Sequence, residues 1–342
     1  MKAVVFYEHG GTDKLTYTDT EKPKLSPYEV LVRVKACALN HLDIWVREGL
    51  PGVDIPMPHI QGSDIAGEVA EAGMEVKRFR PGDKVIVAPG VRCRKCVYCI
   101  TGNDSMCDSF KIMGFQVQGG YAEYVKAHVD NIIPVSDKLS FEEWSAVPLV
   151  FLIAWHMLIT RGQLKPGENV LIHAAGSGIG SAAIQIARLA GARVITTARG
   201  NEKLEKAKQI GADEVIDYSK EDYRERVMSG TNTKGVDLIF EHIGPETWEK
   251  NLQCLAKGGR MVVCGATSGP TASLDIRFLF MKQHAIIGCY MGSKKELLDV
   301  LRLVEAGRLR PVTDSVYPLK DAAVAQKRML NRENFGKIIL KV

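Results

Sequence analysis

From residue 165 to residue 292 the chain alternates short apolar runs with amphipathic ones, and this alternation restricts the fold more than any other feature. The apolar runs fall at 170–173, 193–197, 214–216, 236–240, 260–264 and 285–288, with helical stretches such as 179–189, 202–210 and 246–255 between most of them. Strands that are apolar throughout are buried on both faces, and a helix between consecutive strands is the crossover a parallel pair requires. The region is therefore predicted to be an α/β fold with a doubly wound parallel sheet. The residues before it read mostly as β. The stretches 30–35, 65–70, 83–87 and 121–125 are strand-like, each bounded by Gly or Pro. Ser140 and Glu143 form a capping-box start for a helix, Pro148 interrupts it, and a second helix is predicted to run to 160. After Gly292 come an amphipathic helix, 293–306, and a closing strand, 337–342. A length of 342 residues corresponds to roughly two domains at about 150 residues each.

The first strand of the alternating region runs into Ala174-Ala175-Gly176-Ser177-Gly178-Ile179-Gly180 and then a helix. Missing side chains let a pyrophosphate approach the backbone, and unpaired N–H groups at a helix start hold its charge. The glycines depart from strict G-x-G-x-x-G spacing, and any tight βα turn uses glycine. Position at the first strand of six makes Gly176, Ser177, Gly178, Ile179 and Gly180 the predicted dinucleotide site. At the end of the second strand, NAD sites usually carry an acid for the ribose hydroxyls. Here Ala198 occupies that place and Arg199 follows, with Lys203 one turn on. Thr197, Arg199 and Lys203 suit a 2′-phosphate, so NADP(H) is the expected cofactor. The competing reading makes Arg199 a solvated loop charge, with Glu202 close by.

Cys93, Cys96, Cys99 and Cys107 are spaced C-x2-C-x2-C-x7-C. Four thiolates within fifteen residues close a tetrahedral shell around Zn²⁺ and leave no open position, so such a zinc is structural. The fourth cysteine is too distant for the compact ferredoxin run. Cys37, Cys254, Cys264 and Cys289 stand singly in apolar contexts, where a small buried hydrophobe is the default. Four singles and one cluster point to a reducing, cytoplasmic setting rather than a disulfide scaffold. No secretory signal is visible at the N-terminus, and no run approaches the ~20 apolar residues of a membrane span. The formal charge of +5 is spread along the chain, which argues against a nucleic-acid face.

Together these residues resemble the medium-chain dehydrogenase/reductase superfamily, over the whole chain. Further matching stretches are Pro58-His59-Ile60-Gln61-Gly62-Ser63-Asp64, Arg80-Pro81-Gly82-Asp83, Gly119-Gly120-Tyr121-Ala122-Glu123 and Phe335-Gly336-Lys337. The resemblance implies a GroES-like catalytic domain at 1–151 with its zinc loop at 93–107, and a Rossmann domain at 152–291. It also implies a segment, 292–342, that returns to the catalytic domain, one structural zinc per chain, and a homodimer or homotetramer paired along 285–288. It places His41 and Lys337 near cofactor phosphate, and Ile243, Cys264, Gly265, Ala266, Tyr290 and Met291 around the nicotinamide.

Zinc alcohol dehydrogenases of this family hold a second, catalytic zinc, and here the positions of its ligands are Asn40, Ser63 and one near Leu149, with Asp64 as the adjacent acid. Leu42 and Trp45 replace the proton relay. The pattern Leu39-Asn40-His41-Leu42-Asp43 is similar instead to the quinone oxidoreductase branch, whose members transfer hydride without a catalytic metal. Asn40, Asp43 and Asp64 are the catalytic candidates. The expected reaction is hydride addition to an activated C=C of a quinone or enone, or to the carbonyl of a ketone or aldehyde. Asn40 would steady the oxygen that gathers charge. Two alternatives stay open: an alcohol/ketone dehydrogenase with a nonstandard metal site among His41, Asp43, His59 and Asp64, and an NADPH-binding protein without turnover.

Overall fold

The computed structural model describes residues 1–342. In chain order the first elements are β1 (Lys2–Phe6), β2 (Thr16–Asp19), β3 (Glu29–Ala38), α1 (His41–Glu48), β4 (His59–Ile60), β5 (Asp64–Ala72) and β6 (Lys84–Val87). They are followed by β7 (Gly90–Val91), α2 (Val97–Ile100), β8 (Lys111–Ile112), β9 (Tyr124–His128), β10 (Ile132–Pro134) and α3 (Phe141–Ser145). Next come α4 (Pro148–Trp155), β11 (Asn169–Ile172), α5 (Gly178–Leu189), β12 (Arg193–Ala198), α6 (Asn201–Gln209), β13 (Glu214–Asp217) and α7 (Tyr223–Gly230). The chain closes with β14 (Val236–Glu241), α8 (Pro245–Cys254), β15 (Leu255–Val263), α9 (Ile276–Met281), β16 (Ala285–Gly288), α10 (Lys294–Glu305), β17 (Thr313–Pro318), α11 (Ala322–Leu330) and β18 (Lys337–Lys341).

Two compact units result. One comprises Met1–Leu149, Ser293–Glu305 and Arg310–Val342; the other comprises Val150–Gly292 and Ala306–Leu309. The first is built on a seven-stranded sheet ordered β10-β6-β5-β3-β18-β17, with β9 also paired to β3. Its core is aliphatic, drawn from Val30, Val32, Val34, Ile65, Val85, Val87, Ile338 and Leu340 among others. Consecutive residues of β3, β5, β6 and β18 are buried, so both faces of these strands are covered. Register then fixes the chemistry. Ala38, at the end of β3, pairs with Asp64 at the start of β5 and with Ile339 near the start of β18. Asn40 just past β3, Asp64 at the start of β5 and Lys337 at the start of β18, from three distant parts of the chain, thus meet at one point.

The second unit is a six-stranded parallel sheet ordered β13-β12-β11-β14-β15-β16, the doubly wound fold predicted from the alternation. Leu171, Ile195, Ile216, Ile239, Leu252 and Met261 fill part of its core. Ser140 caps α3 in the expected capping box with Glu143. Three local expectations need correction. The strand expected at 121–125 begins at Tyr124, because Tyr121 instead pairs with Val4 and Gln61 through its backbone. The helix expected at 148–160 is α-helical to Trp155 and finishes as a π-turn over His156–Arg161. Cys264 and Cys289 are half-buried, since the strand ends that carry them reach the sheet's rim, whereas Cys37 and Cys254 are buried.

Candidate active site and metal centre

At the junction of β3, β5 and β18, Lys337 is buried and donates from Nζ to Asn40 Oδ1 at 2.6 Å and to Asp64 Oδ2 at 2.8 Å. Asn40 Nδ2 donates to the same Asp64 oxygen at 2.9 Å, and the Leu149 amide donates to Asp64 Oδ1 at 2.7 Å. A buried carboxylate is costly unless paired and hydrogen-bonded, and Asp64 has both forms of support. Asn40 also caps α1, where its backbone N–H donates to Asp43 Oδ2 at 2.8 Å. The Tyr121 hydroxyl reaches that oxygen at 3.0 Å, and Asp43 Oδ1 is buried without a partner. Burial therefore dominates and pushes the Asp43 carboxyl up to about 6.

The four side chains weighed as a nonstandard metal site do not converge. Asp64 and Asp43 are engaged as described, and His59 Nε2 lies 3.1 Å from the Gly114 carbonyl. The His41 ring meets Trp45 edge-on at 5.0 Å. Ser63, which the resemblance placed at a metal-ligand position, donates its hydroxyl to the Met113 carbonyl at 2.7 Å. Lys337, expected near cofactor phosphate, donates to Asn40 and Asp64.

Cys93, Cys96, Cys99 and Cys107 do converge, with all four sulfurs within 4.8 Å of one another. The Cys96 amide donates to Cys93 Sγ and the Cys93 amide to Cys107 Sγ, both at 3.3 Å. The backbone N–H groups of Lys95 and Cys96 hold the Cys93 thiol down to about 6, while burial and crowding by its neighbours push Cys99 up to about 12. Four thiols this close cannot all ionise without a cation among them, so the donor set fits Zn²⁺. A buried Arg92–Asp104 ion pair and the Lys294 amide, 3.0 Å from Asp104 Oδ1, anchor this loop.

In the parallel-sheet unit, Gly176–Gly180 follow β11 and Arg199 follows β12. Ile243, Cys264–Ala266 and Tyr290–Met291 follow β14, β15 and β16. All these residues lie beyond the carboxyl ends of the strands, where doubly wound sheets bind ligands. Ala174 takes a left-handed φ of 53°, a strained turn for a residue with a Cβ. Ser177 Oγ accepts the Gly180 N–H at 2.9 Å and caps α5. The Gly178 and Ile179 amides, in the first helical turn, have no intrahelical acceptor and suit a phosphate. A Cβ on Gly180 would lie 2.3 Å from the Ala174 carbonyl oxygen, so glycine is required there.

Behind this loop lies a buried network that the sequence reading did not find. Glu241 accepts from the Gly244 amide and the Thr247 hydroxyl, both at 2.8 Å, and from the Ile243 amide and Asn251 Nδ2. With its amide nitrogen on Glu241, Asn251 presents Oδ1 to His173 Nε2 at 2.7 Å. Burial holds His173 below its usual range and therefore neutral, so Nδ1 accepts the Thr197 hydroxyl at 3.1 Å. Thr197 is thus turned inward, while Arg199 is exposed and Lys203 half-buried. His173 directly precedes the Gly-rich turn, the one signal that would have drawn attention to it.

Comparison with known proteins agrees with this architecture. Residues 26–137 match the family model for the alcohol dehydrogenase GroES-like domain, and residues 178–306 match that for zinc-binding dehydrogenases. The chain is 32% identical over 346 residues to an alcohol dehydrogenase of Geobacillus stearothermophilus, covering 100% of both. It is 32% identical over 350 residues to the quinone oxidoreductase of Mus musculus, covering 99% of this chain and 97% of the relative. A crystal structure of an NAD-dependent alcohol dehydrogenase superposes with a TM-score of 0.97 at 43% identity, covering 100% of both chains. Two family models together match more than half of the residues, and relatives above 30% identity align with the chain over its whole length, so the chain belongs to the medium-chain dehydrogenase/reductase superfamily of oxidoreductases.

Proposed function

We propose that the protein is an NADP(H)-dependent reductase that delivers hydride to a quinone or enone C=C, or to a ketone or aldehyde carbonyl, without a catalytic metal. The observation that carries this reading is the makeup of the Asn40–Asp64–Lys337 cluster, which is a set of hydrogen-bond donors and acceptors closed around an ammonium ion. The nicotinamide, when bound, supplies the hydride. Asn40 Nδ2 gives one N–H to Asp64 and retains a second for the substrate oxygen. Donors fixed before the reaction stabilise charge that develops on that oxygen. Solvent supplies the proton that completes the reduction. The Gly178 and Ile179 amides hold the pyrophosphate, and Arg199 with Lys203 holds the 2′-phosphate. The four cysteines hold one structural zinc.

The alcohol dehydrogenase relatives favour a second reading, alcohol or ketone chemistry, with NAD as in the similar crystal structure. Arg199 speaks for NADP(H), because a carboxylate at this strand end would repel a 2′-phosphate. The cysteine usage fits a reducing, cytoplasmic setting, and no helix is long and apolar enough to cross a membrane. β16 is an unpaired sheet edge, and Ile276, Phe278, Phe280 and Met281 of α9 are exposed, which supports a homodimer or homotetramer.

The test is a panel of quinones, enones, ketones and aldehydes with NADPH and NADH. NADPH oxidation with a quinone or enone is expected; none with any compound would leave a nucleotide-binding protein without turnover. In the Asn40→Ala variant, turnover should fall about 100-fold, the scale of losing one oxyanion donor, with NADPH affinity unchanged.

A further inference from the structure

Lys337 is the charged group nearest Asn40 for which the proposed reaction has so far given no role. It is 4% exposed, and burying an ammonium costs several kcal/mol unless it is well paired. The chain goes to some length to keep it there. Gly336, with a left-handed φ of 96°, leads into β18, and a Cβ on it would lie 2.3 Å from the Val312 carbonyl oxygen. Asp64 is fixed independently through the Leu149 amide. Ser63 turns its hydroxyl to the Met113 carbonyl and takes no part in the cluster. The cation that Asn40 and Asp64 actually grip is Lys337.

Two opposite charges determine how the Asn40 amide is turned. Its Oδ1 faces the ammonium at 2.6 Å and its Nδ2 faces the carboxylate at 2.9 Å. The flipped amide would set N–H against ammonium and oxygen against carboxylate, which is repulsive at both ends. Polarisation of the carbonyl by a cation also strengthens the amide's N–H groups as donors.

We propose that Lys337 is a positioning residue that acts through Asn40, a resident cation that orients and polarises the amide so that its second Nδ2–H meets the oxygen on which negative charge gathers. This inference rests on the reductase reading above. Lys337 then belongs to the substrate side of the reaction.

The experiment compares Lys337→Met and Lys337→Arg, each in the wild-type and Asn40→Ala backgrounds. The readouts are kcat and KM with an enone, NADPH Kd by fluorescence, and the Kd of 4-nitrophenolate, a stable mimic of an enolate oxygen, in the NADP⁺ complex. Lys337→Met should lower kcat 10- to 100-fold and weaken 4-nitrophenolate at least tenfold, with NADPH Kd within twofold of wild type. Lys337→Arg should restore most of both losses. In the Asn40→Ala background, Lys337→Met should change neither by more than about threefold, since residues acting as a unit are non-additive. If Lys337→Met does not fold, Lys337→Met/Asp64→Asn removes both buried charges and should show the same losses. A raised NADPH Kd with unchanged kcat, equal losses in both backgrounds, or wild-type values in the variants overturns the proposal. A wild type that turns over no substrate overturns the reductase reading alone, because 4-nitrophenolate binding still tests Lys337.

Discussion

Asp43 shows how one carboxyl shapes the behaviour of this site. Its Oδ2 accepts the Asn40 amide and the Tyr121 hydroxyl, yet burial outweighs both and raises it to about 6. An unfolded aspartate titrates near 4, so keeping Asp43 ionised in the folded protein costs about 3 kcal/mol. A raised pKa means the protonated form's stabilisation is whole below about pH 4 and lost as pH rises through about 6. Asp43→Asn retains an acceptor oxygen and removes the charge. Its stability relative to wild type should therefore rise by a few kcal/mol between pH 4 and pH 8, read from urea midpoints at each pH. A difference that stays flat with pH would contradict this account. Asp43 was legible in the sequence as part of Leu39-Asn40-His41-Leu42-Asp43, but its partner Tyr121 lies 78 residues away. Lys337 and Asp64, 273 residues apart, were each noticed without their pairing, because register between distant strands is not written locally.

Among the elements, the turn between β11 and α5 is the proposed nucleotide site, and its parts make separable predictions. Ser177→Ala removes the cap on the Gly180 amide and should lower stability by about 1 kcal/mol in thermal or urea unfolding. Gly180→Ala places a Cβ against the Ala174 carbonyl, with the Ser177 hydroxyl 2.9 Å away. It should weaken NADPH binding at least tenfold in fluorescence titration while the far-ultraviolet circular dichroism is retained. Tight binding by that variant would mean the turn is not the phosphate site. Elements of this kind were readable in advance because their signals are local. Six apolar runs gave six strands of one parallel sheet, and the capping box at Ser140 gave α3. β17 was missed because Thr-Asp-Ser-Val-Tyr-Pro carries little apolar character; it is the edge of its sheet, held by pairing with β18. The His173–Asn251–Glu241 network was missed because three polar residues on different elements show no common spacing.

In the molecule as a whole, the proposed structural and chemical roles fall on different parts of the first unit. The four-cysteine loop at 93–107 is the proposed zinc site, and the Asn40–Asp64–Lys337 cluster is the proposed substrate-side site. Stripping the zinc with a thiol-competing chelator should open that loop to proteolysis near 94–103 while NADPH affinity, proposed to reside in the parallel-sheet unit, is preserved. Loss of nucleotide binding together with the metal would tie the two functions and count against the separation. The proposed hydride transfer relies on an oriented amide and an ammonium ion, with zinc confined to a structural role. Metal content per chain, measured on protein whose NADPH-dependent enone reduction has been assayed in the same sample, tests it most directly. One zinc per chain in fully active protein, falling to none in a Cys93→Ser/Cys107→Ser variant, is the predicted result. Two tightly bound metal ions per active chain, with one retained in that variant and required for turnover, would contradict it.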